Sequence, residues 1–298
     1  MSQLIHYTNC PVCGSSQISK VIIAKDFTVS GETFGIMECN SCSLRFTQDV
    51  PDAVSIAPYY KSENYISHTD TSKGLINRLY QFVRKRTLKR KRKLIQKATG
   101  IVKGNILDVG SGTGAFVREM KAAGWMVTGL EPDADARKLA AAVNGVTLTE
   151  MDQFYKLEPG TFDAITLWHV LEHVHDLQPY IVQLKRLLKE NGKLFIAVPN
   201  YTSKDAGIYK EYWAAYDVPR HLYHFSPKSI QVLMEKQGLK LQQYLPMWYD
   251  SFYISMLSSK YKKGKTNLFT SFFNGLRSNF KAMNNTKRCS SVIYIVGK

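Results

Sequence analysis

Short apolar runs alternate with amphipathic segments through the middle of the chain. Ile106, Leu107 and Val109 form an apolar run that predicts a buried strand, and the apolar residues at 116, 117, 120 and 123 recur at helical spacing. Gly124 is placed to end that helix, and the apolar run WMVTGL predicts the next strand. The pattern therefore predicts a strand, a turn, a helix and a second strand, which is typical of a parallel α/β sheet.

The same alternation continues to the end of the sequence. Residues 146–149 (VTLT) predict a third strand, and FDAITLWHVLEHV predicts a fourth that ends at Trp168 and His169. YIVQLKRLLKENGKLFIAVPN predicts a helix, an Asn-Gly turn and a fifth strand. A Ser-Pro helix start leads into a sixth strand, and SSVIYIVGK predicts a seventh. We therefore predict a Rossmann-like, doubly wound α/β fold of seven strands, with ligand sites at the carboxyl ends of the parallel strands.

The turn after the first of these strands, LDVGSGTGAF, is rich in glycine and fits two kinds of ligand. Gly110, Gly112 and Ala115 satisfy the dinucleotide fingerprint, which predicts NAD or FAD. Asp108 followed by three alternating glycines also fits a loop whose ligand has no pyrophosphate. Glu131, after the second strand, could accept hydrogen bonds from the ribose of either ligand. One glycine loop followed by so many strands is unlike a two-halved dinucleotide domain, which favours the second interpretation.

Four motifs carry a resemblance to a known family. LDVGSGTG, LEPD, FDAITLWHVLEHV and LKENGKLFIAVPN occur in the order and at the distances of the class I S-adenosylmethionine-dependent methyltransferases, which residues 100–298 resemble. The resemblance implies methyl transfer from S-adenosylmethionine, and Glu150, or neither acid, is the alternative to Asp152 beside the adenine. The cofactor-binding residues that it implies are Asp108, Gly110, Ser111, Gly112 and Gly114 at the methionyl portion, Glu131 and Pro132 at the ribose, Met151 and Asp152 at the adenine, and Trp168 and His169 near the sulfonium.

Histidines gather after the predicted fourth and fifth strands. A hydroxyl or carbon acceptor needs a general base, and imidazole suits that role at neutral pH. We expect His169 or His221 to be the base, with His173 as a further catalytic candidate. Arg220 is expected to hold an anionic or polar group of the substrate. A structural, hydrogen-bonded role is the alternative for each histidine.

One of these segments bears on a metal in the active site. In some quinone O-methyltransferases that resemble this chain, the segment matching HVLEH supplies metal ligands. Here it contains His169, Glu172 and His173, and His169 stands where those enzymes have a glutamate. The difference argues against a metal at this position, and we expect Glu172 to accept hydrogen bonds from backbone amides.

Four of the five cysteines lie in two C-x-x-C pairs, Cys10 with Cys13 and Cys39 with Cys42. Two such pairs can place four thiolates around one Zn²⁺, and a site closed by four sulfurs is structural. Two disulfides are the alternative. No secretory signal is recognisable at the amino terminus, which favours a cytoplasmic, reducing compartment and therefore zinc.

A tyrosine-rich stretch, PYYKSENYISH, follows the cysteines. Methyltransferases from bacterial polysaccharide and sugar-modification pathways often contain a zinc ribbon followed by such a stretch, and this part of the chain resembles theirs. The resemblance implies a sugar-derived acceptor. Tyr59, Tyr60, Tyr65 and His68 could cover the cofactor or acceptor as a lid, or could pack the ribbon onto the main domain.

The net charge of +16 comes from two segments. Residues 73–104 contain twelve basic residues and no acid, and nine of the basic residues fall in the helical stretch 84–97. Residues 239–298 contain ten basic residues and one acid, and ten aromatic side chains lie between 244 and 280. Aromatics beside cations are typical of a membrane interface or of stacked bases. We expect an anionic partner, with peripheral contact at the inner membrane face that depends on residues 89–93.

The predicted organisation is a zinc ribbon over 1–48, a lid and basic helix over 49–99, and a methyltransferase domain over 100–298 with an aromatic and basic insert at 244–285. We predict methyl transfer to a small or lipid-linked, sugar-derived acceptor at oxygen, nitrogen or carbon. The rival is a nucleic-acid-binding protein or RNA methyltransferase that uses the ribbon and the basic helix. LWHV replaces the Asn/Asp-Pro-Pro-aromatic motif of adenine methylation, and no cysteine nucleophile lies nearby, which disfavours nucleic acid.

Overall fold

The computed structural model describes residues 4–61 and 75–298, with the backbone alone for 75–82. The strands are β1 (Leu4–Ile5), β2 (Ile18–Lys25), β3 (Thr33–Cys39), β4 (Arg45–Thr47), β5 (Val50–Pro51), β6 (Asn105–Val109), β7 (Met126–Leu130), β8 (Phe162–Trp168), β9 (Leu188–Pro199), β10 (Tyr223–His224), β11 (Lys240–Pro246) and β12 (Ser291–Gly297). The helices are α1 (Leu75–Thr99), α2 (Ala115–Ala122), α3 (Ala134–Asn144), α4 (Leu177–Leu187), α5 (Lys204–Tyr209), α6 (Pro227–Lys236), α7 (Asp250–Lys263) and α8 (Leu268–Asn284).

The chain divides into two compact units. The first comprises Met1–Ser67, His169–Tyr180 and Ala197–Tyr294, and the second comprises His68–Trp168, Ile181–Ile196 and Ile295–Lys298. Six strands of the described residues form the largest sheet, in the order β11-β12-β9-β8-β6-β7. The α/β fold class is therefore confirmed.

The parallel part of this sheet belongs to the second unit. β6 pairs in parallel with β7 and with β8, and Asp108 is in register with Gly129 on one side and Thr166 on the other. Short strands of branched apolar residues are buried here because helices cover both faces of such sheets. This pairing brings the carboxyl ends of β6, β7 and β8 to one edge.

The predicted third strand of the α/β pattern is reduced to a single bridge. Among residues 146–149, Thr149 pairs with Leu130, and the sheet in the described part of the chain has six strands instead of seven. Val146 and Leu148 are instead packed with Val117 and Ala140 of the helical layer. The alternating apolar residues that predicted a strand therefore pack against helices instead of extending the sheet.

The first unit contains a four-stranded antiparallel sheet in the order β10-β4-β3-β2. Met37 pairs with Phe46, and Phe46 pairs with Tyr223. The amino-terminal segment thus takes its outer strand from residues 223–224, so the compact units do not follow the predicted boundaries at 48 and 99. Those boundaries stay a prediction about sequence organisation.

The predicted Ser-Pro helix start is present and has a clear local cause. Ser226 accepts a hydrogen bond from the Ser229 backbone, and the Ser229 hydroxyl accepts one in return from the Ser226 backbone, so α6 begins with a reciprocal cap.

Among the described residues, no helix is both long enough and apolar enough to cross a bilayer.

Candidate active site

The glycine loop of the second unit joins β6 to α2. Gly110, Gly112 and Gly114 all have positive φ, which glycine adopts without steric cost. The backbone amides of Gly110 and Ser111 donate to the carbonyl oxygen of Leu130, at 2.8 Å and 2.9 Å, and fix the loop against β7. A Cβ on Gly114 would lie 2.5 Å from Val146 Cγ2, whereas a Cβ on Gly112 would meet nothing within 4 Å. The loop is therefore closely packed against Val146 at Gly114, whereas the space beside Gly112 is open.

Asp108 lies at the carboxyl end of β6 with 2% of its surface exposed. Its Oδ1 accepts a hydrogen bond of 2.6 Å from the Thr166 hydroxyl on the neighbouring strand. Burial raises the pKa of Asp108 to about 6, although the hydrogen bonds from Thr166 and Ser111 act in the opposite direction. Its position beside the loop is the one that the resemblance implies.

Glu131 follows β7 and is 7% exposed. Its two carboxylate oxygens accept hydrogen bonds from the backbone amides of Gly112, at 2.7 Å, and Asp133, at 3.0 Å. Burial raises the pKa of Glu131, while these two amides favour the charged form. Each oxygen keeps a second lone pair, so the carboxylate could accept hydroxyl donors while bracing the loop. The neighbouring Pro132 is exposed, and its carbonyl oxygen accepts a bond from Arg137.

Met151 and Asp152 begin a short 3₁₀ helix, Met151–Lys156. The Asp152 carboxylate is exposed and pairs with Lys156 at 2.9 Å, which together with Gln153 lowers its pKa. Glu150 instead pairs with Arg137 at 2.6 Å. Both acids are engaged with surface cations, so the choice between them as the adenine contact stays a prediction.

Trp168 ends β8, and its ring packs edge-to-face on Phe116. Lys91 Nζ lies 4.0 Å from the centroid of the Trp168 ring, and Arg84 Nη2 donates to the Thr113 hydroxyl of the glycine loop at 3.1 Å. The Trp168 indole N–H is buried and has no acceptor within the described residues. Two cations of the basic helix α1 therefore contact the loop and the strand end.

Sequence reasoning missed Arg84 and Lys91 as site residues, since they stood inside a run of nine basic residues. Their spacing of seven positions places them on one helix face two turns apart. Lys85 with Arg92 and Arg86 with Lys93 have the same spacing, so the sequence alone carried no signal that separates Arg84 and Lys91 from their neighbours.

The first unit holds the histidine cluster. His169 has a φ of 59°, in the left-handed region, and its backbone amide donates to Ala197. Its Nε2 lies 3.0 Å from Asp250 Oδ2, and its Nδ1 lies 3.3 Å from Glu172 Oε1. Desolvation disfavours the cation, but Asp250 and Glu172 outweigh it and raise the pKa of His169 to about 10. At neutral pH this imidazole is protonated, so it has no lone pair for a base.

His173 and His221 present their rings to each other, with centroids 4.6 Å apart. His173 Nδ1 lies 3.0 Å from the Arg220 carbonyl oxygen, and His221 Nδ1 lies 2.8 Å from that of Ala215. A carbonyl oxygen only accepts, so each Nδ1 carries a proton, and Nε2 is the ring atom that has the lone pair in the neutral imidazole. Desolvation, with the neighbouring His221, lowers the pKa of His173 to about 4.

Glu172 is fully buried beneath these rings. Neither carboxylate oxygen has a hydrogen-bond donor of good geometry within the described residues, so the expected bonds from backbone amides are not formed. The charged form is kept by its neighbours, because His169 lowers the pKa of Glu172 against the effect of burial. One donor atom each from Glu172, His173 and His221 lie within 4.8 Å of one another and could hold a metal ion.

Arg220 does not present a charge to a substrate. The side chain is 1% exposed, and Asp26 beside it is fully buried. Its five N–H groups are taken up by Asp26, Asp217 and the Tyr59 carbonyl oxygen. The expectation that Arg220 holds a substrate group is therefore wrong for this arrangement, in which the guanidinium joins β2 to the loop before β10.

The four amino-terminal cysteines come together in the first unit. Cys10 Sγ and Cys42 Sγ are 3.5 Å apart, as are Cys13 Sγ and Cys39 Sγ, and all four sulfurs lie within 4.8 Å of one another. All are free thiols, and the hydrogen bond from Cys42 lowers the pKa of Cys10 to about 5. A tetrahedral Zn²⁺ with bonds of about 2.3 Å fits this donor set.

The tyrosine-rich stretch is described only in part. Tyr60 Oη lies 3.1 Å from His173 Nδ1, and Tyr59 Oη donates to Glu32 at 2.5 Å. Burial and the Glu32 carboxylate raise the pKa of Tyr59 to about 12. Tyr65 and His68 lie outside the described residues, so a lid formed by them stays a prediction.

The sheet order, the glycine loop and the acids after β6 and β7 define a Rossmann-like methyltransferase fold. The chain belongs to the methyltransferase-domain family, which matches residues 78–244, and this stretch forms its S-adenosylmethionine-dependent methyltransferase domain.

Comparison with individual proteins agrees with this family. The chain is 30% identical over 118 residues to the ubiquinone biosynthesis O-methyltransferase of Sodalis glossinidius, covering 37% of this chain and 47% of that one. It is 29% identical over 174 residues to the protein of the same name in Nitrosococcus oceani, covering 54% and 71%. Most of these relatives are matched over about half of their length.

A solved structure shows the same fold at low identity. The magnesium protoporphyrin IX methyltransferase of Synechocystis, crystallised with bound SAH, superposes with a TM-score of 0.53 at 14% identity. The match covers 82% of this chain and 99% of that one.

Proposed function

We propose that the protein transfers a methyl group from S-adenosylmethionine to a hydroxyl of a small molecule. The observation that carries the proposal is the Glu131 carboxylate, buried and bonded to the amide of Gly112 in a loop that is open in front of that glycine. A buried acid with spare lone pairs, beside a loop without side chains, suits a ligand that has a ribose and no phosphate.

Bound S-adenosylmethionine would supply an electrophilic methyl group. Glu131 would accept the ribose hydroxyls, and Asp108 would hold the loop in place through Thr166 on β8. Met151 with Asp152 or Glu150 would flank the adenine, and Trp168 and His169, consecutive in the chain, would lie near the sulfonium. These assignments rest on the resemblance together with the burial and hydrogen bonds described above.

The acceptor is proposed from its relatives and from the chain's own residues. The matched relatives are named for ubiquinone biosynthesis, which supports a small-molecule acceptor and transfer to oxygen. A sugar-derived or lipid-linked acceptor rests on the resemblance of the cysteine segment, and the relatives' names do not include a saccharide. We propose cytoplasmic action on such an acceptor, with zinc held by Cys10, Cys13, Cys39 and Cys42.

Deprotonation of a hydroxyl acceptor needs a base, and His221 is the residue that we propose. Its Nδ1 donates to the Ala215 carbonyl oxygen, so Nε2 is the ring atom that would take the proton of an acceptor hydroxyl. His173 is a weaker base, because desolvation and the neighbouring His221 lower its pKa to about 4. His169 is the weaker candidate for this role, because Asp250 and Glu172 raise its pKa to about 10, and its cation would instead favour the charged form of Glu172.

A divalent cation at Glu172, His173 and His221 is the alternative to base chemistry by His221. Both imidazoles already donate Nδ1 to backbone carbonyl oxygens, as histidine ligands of metals commonly do, and the buried Glu172 carboxylate, whose nearest donor is His169 Nδ1 at 3.3 Å, is a suitable third ligand. A cation there would lower the pKa of an acceptor hydroxyl.

The test uses purified protein, methyl-labelled S-adenosylmethionine and fractionated bacterial extract. We expect label in the small-molecule or lipid fraction, and label released by nuclease would support the nucleic-acid alternative instead. His221→Gln should lower the rate about a hundredfold or more, whereas the control His175→Gln, whose ring Nε2 lies 3.1 Å from the Pro51 carbonyl oxygen, should change it little. More than one metal equivalent per chain, lost in Glu172→Gln, would favour the cation. No cofactor binding and no transfer would overturn the proposal.

A further inference from the structure

Helices α7 and α8 of the first unit pack together through small residues. The buried residues of α8 are Ser271, Gly275, Ser278 and Ala282, and those of α7 are Ser251, Ile254, Ser255, Ser258 and Ser259. A Cβ on Gly275 would lie 3.1 Å from the Phe252 Cα, so the two backbones approach closely at this point. The turn between them begins at Gly264, whose φ is 72°.

The large apolar side chains of α8 lie on the opposite face of the helix. They are between 49% and 75% exposed, and they are Leu268, Phe269, Phe272, Phe273, Phe280 and Met283. At 100° per residue, this set is centred about 130°, or roughly a third of a turn, from the buried small residues. A helix that packs on a protein core in water usually has the reverse arrangement, with large apolar residues buried.

Small residues inside and large apolar residues outside are the arrangement of helices that face lipid. Three of the exposed rings also contact one another, since the Phe273 centroid lies 4.6 Å from that of Phe269 and 5.8 Å from that of Phe272, and these rings form an apolar patch. Contiguous exposed patches of this kind mark interaction sites. Because no described helix can span a bilayer, the hairpin would lie in the interface.

The charge around the patch selects the partner. Residues 251–298 contain no Asp or Glu. Lys262, Lys263 and Lys265 are exposed in and beside the turn, and Arg277 and Lys281 are exposed on α8. A second copy of the same face would bring like charges together, whereas an anionic lipid surface would attract them.

We propose that the α7–α8 hairpin docks the protein on an anionic membrane surface, with the phenylalanine face of α8 entering the headgroup region and the lysines contacting lipid phosphates. The inference deepens the proposed function, because a lipid-linked acceptor would be met at that surface. It does not depend on methyl transfer, since the phenylalanines and lysines that would meet lipid are distinct from the glycine loop and the histidine cluster.

The test is co-sedimentation of the full chain with vesicles rich in phosphatidylglycerol and with vesicles of phosphatidylcholine alone. Phe269→Ser with Phe273→Ser should weaken binding to the anionic vesicles about tenfold or more, since each ring loses apolar burial. Lys262→Gln with Lys263→Gln and Lys265→Gln should weaken it as well, and added salt should do the same to the unaltered protein. The matched control is Val102→Ser with Met126→Ser, two side chains that are each 70% exposed in the second unit and should leave binding unchanged.

Three results would overturn the proposal: no binding of the unaltered protein to anionic vesicles, equal binding by the phenylalanine variant, or a dimer in solution that this variant disperses. The substituted positions are exposed, so thermal melting should show an unaltered fold. Binding of S-adenosylmethionine by the same proteins separates the two proposals. Vesicle binding without cofactor binding would contradict only the proposed function, and cofactor binding without vesicle binding would contradict only the docking surface.

Discussion

His169 Nε2 lies 3.0 Å from Asp250 Oδ2, so the residue that follows β8 is bonded to the first residue of α7. The bond explains why a histidine can be held as a cation in a partly buried cluster. Asp250 is the only acid between residues 239 and 298, which makes it the one carboxylate that this part of the sequence offers.

Substituting Asp250→Asn should lower the pKa of His169 from about 10, because its stronger carboxylate partner is lost. Since the folded pKa lies above the unfolded value of about 6.5, the stabilisation from this pair is fully present below pH 6.5 and is lost as pH rises toward 10. Nuclear magnetic resonance titration of the imidazole measures the shift. Asp163→Asn, which removes the partner of Lys189, is the control and should leave the His169 titration unchanged.

Substituting Arg220→Met should destabilise the protein by about 3–5 kcal/mol, because the buried Asp26 would lose its cation. Denaturant unfolding measures the loss. Lys138→Met removes an exposed pair with Asp135 and should cost about 0–1 kcal/mol. Equal losses in the two variants would contradict the structural role given to Arg220.

The same pair predicts a response to acid. Burial opposes the Asp26 charge, but the Arg220 guanidinium and the amides of Ser30 and Thr28 lower its pKa to about 2. The folded pKa lies below the unfolded value of about 3.9, so this stabilisation is present above pH 4 and is lost as pH falls toward 2. We expect Arg220→Met to reduce the slope of stability against pH in that window, as measured by unfolding at several pH values.

Replacing Glu131 with Gln should weaken binding of S-adenosylmethionine about tenfold or more. The amide would keep one acceptor oxygen, but it would place a donor toward either Gly112 or the ribose, where a donor already stands. Calorimetric titration gives the dissociation constant. Asp135→Asn, an exposed acid on α3, is the matched control, and similar weakening by both variants would place the ribose contact elsewhere.

Zinc content is the direct test of the four-cysteine cluster. Elemental analysis should find zinc in the unaltered protein and a loss of it in Cys13→Ser. Cys289→Ser is the control, because Cys289 is buried and does not belong to the cluster. Chelation should lower the melting temperature of the unaltered protein, since a metal bound only by the folded state stabilises it. Full zinc content in Cys13→Ser would refute the assignment.

The hydrophobic pattern of the sequence was sufficient to predict those strands and helices that are defined by a single run of apolar residues. Periodicity predicted β6, α2 and β7 because each element buries one run of apolar residues. It was wrong for residues 146–149, because alternating apolar side chains do not reveal whether the backbone finds a neighbouring strand. Only Thr149 does so, while Val146 and Leu148 pack on helices.

The site divides in the same way. The glycine loop and Glu131 belong to one strand-helix-strand unit, and their hydrogen bond joins residues only 19 positions apart. Arg220 was misassigned because its partner Asp26 is 194 residues away, and no local pattern distinguishes a buried cation from an exposed one. The unbonded state of Glu172 was beyond prediction for the same reason, since it depends on what surrounds the side chain.

The pairing of β4 with Tyr223–His224 has a consequence for how this protein can be cut or recombined. The cysteine segment, residues 1–48, cannot be removed or transferred as an independent module. Removing residues 1–48 would strip the sheet partner from Tyr223 and the counter-ion Asp26 from Arg220 in one step. Truncations and chimaeras that join at residue 48 should therefore yield aggregated or unfolded material unless the segment and the 217–224 loop are exchanged together.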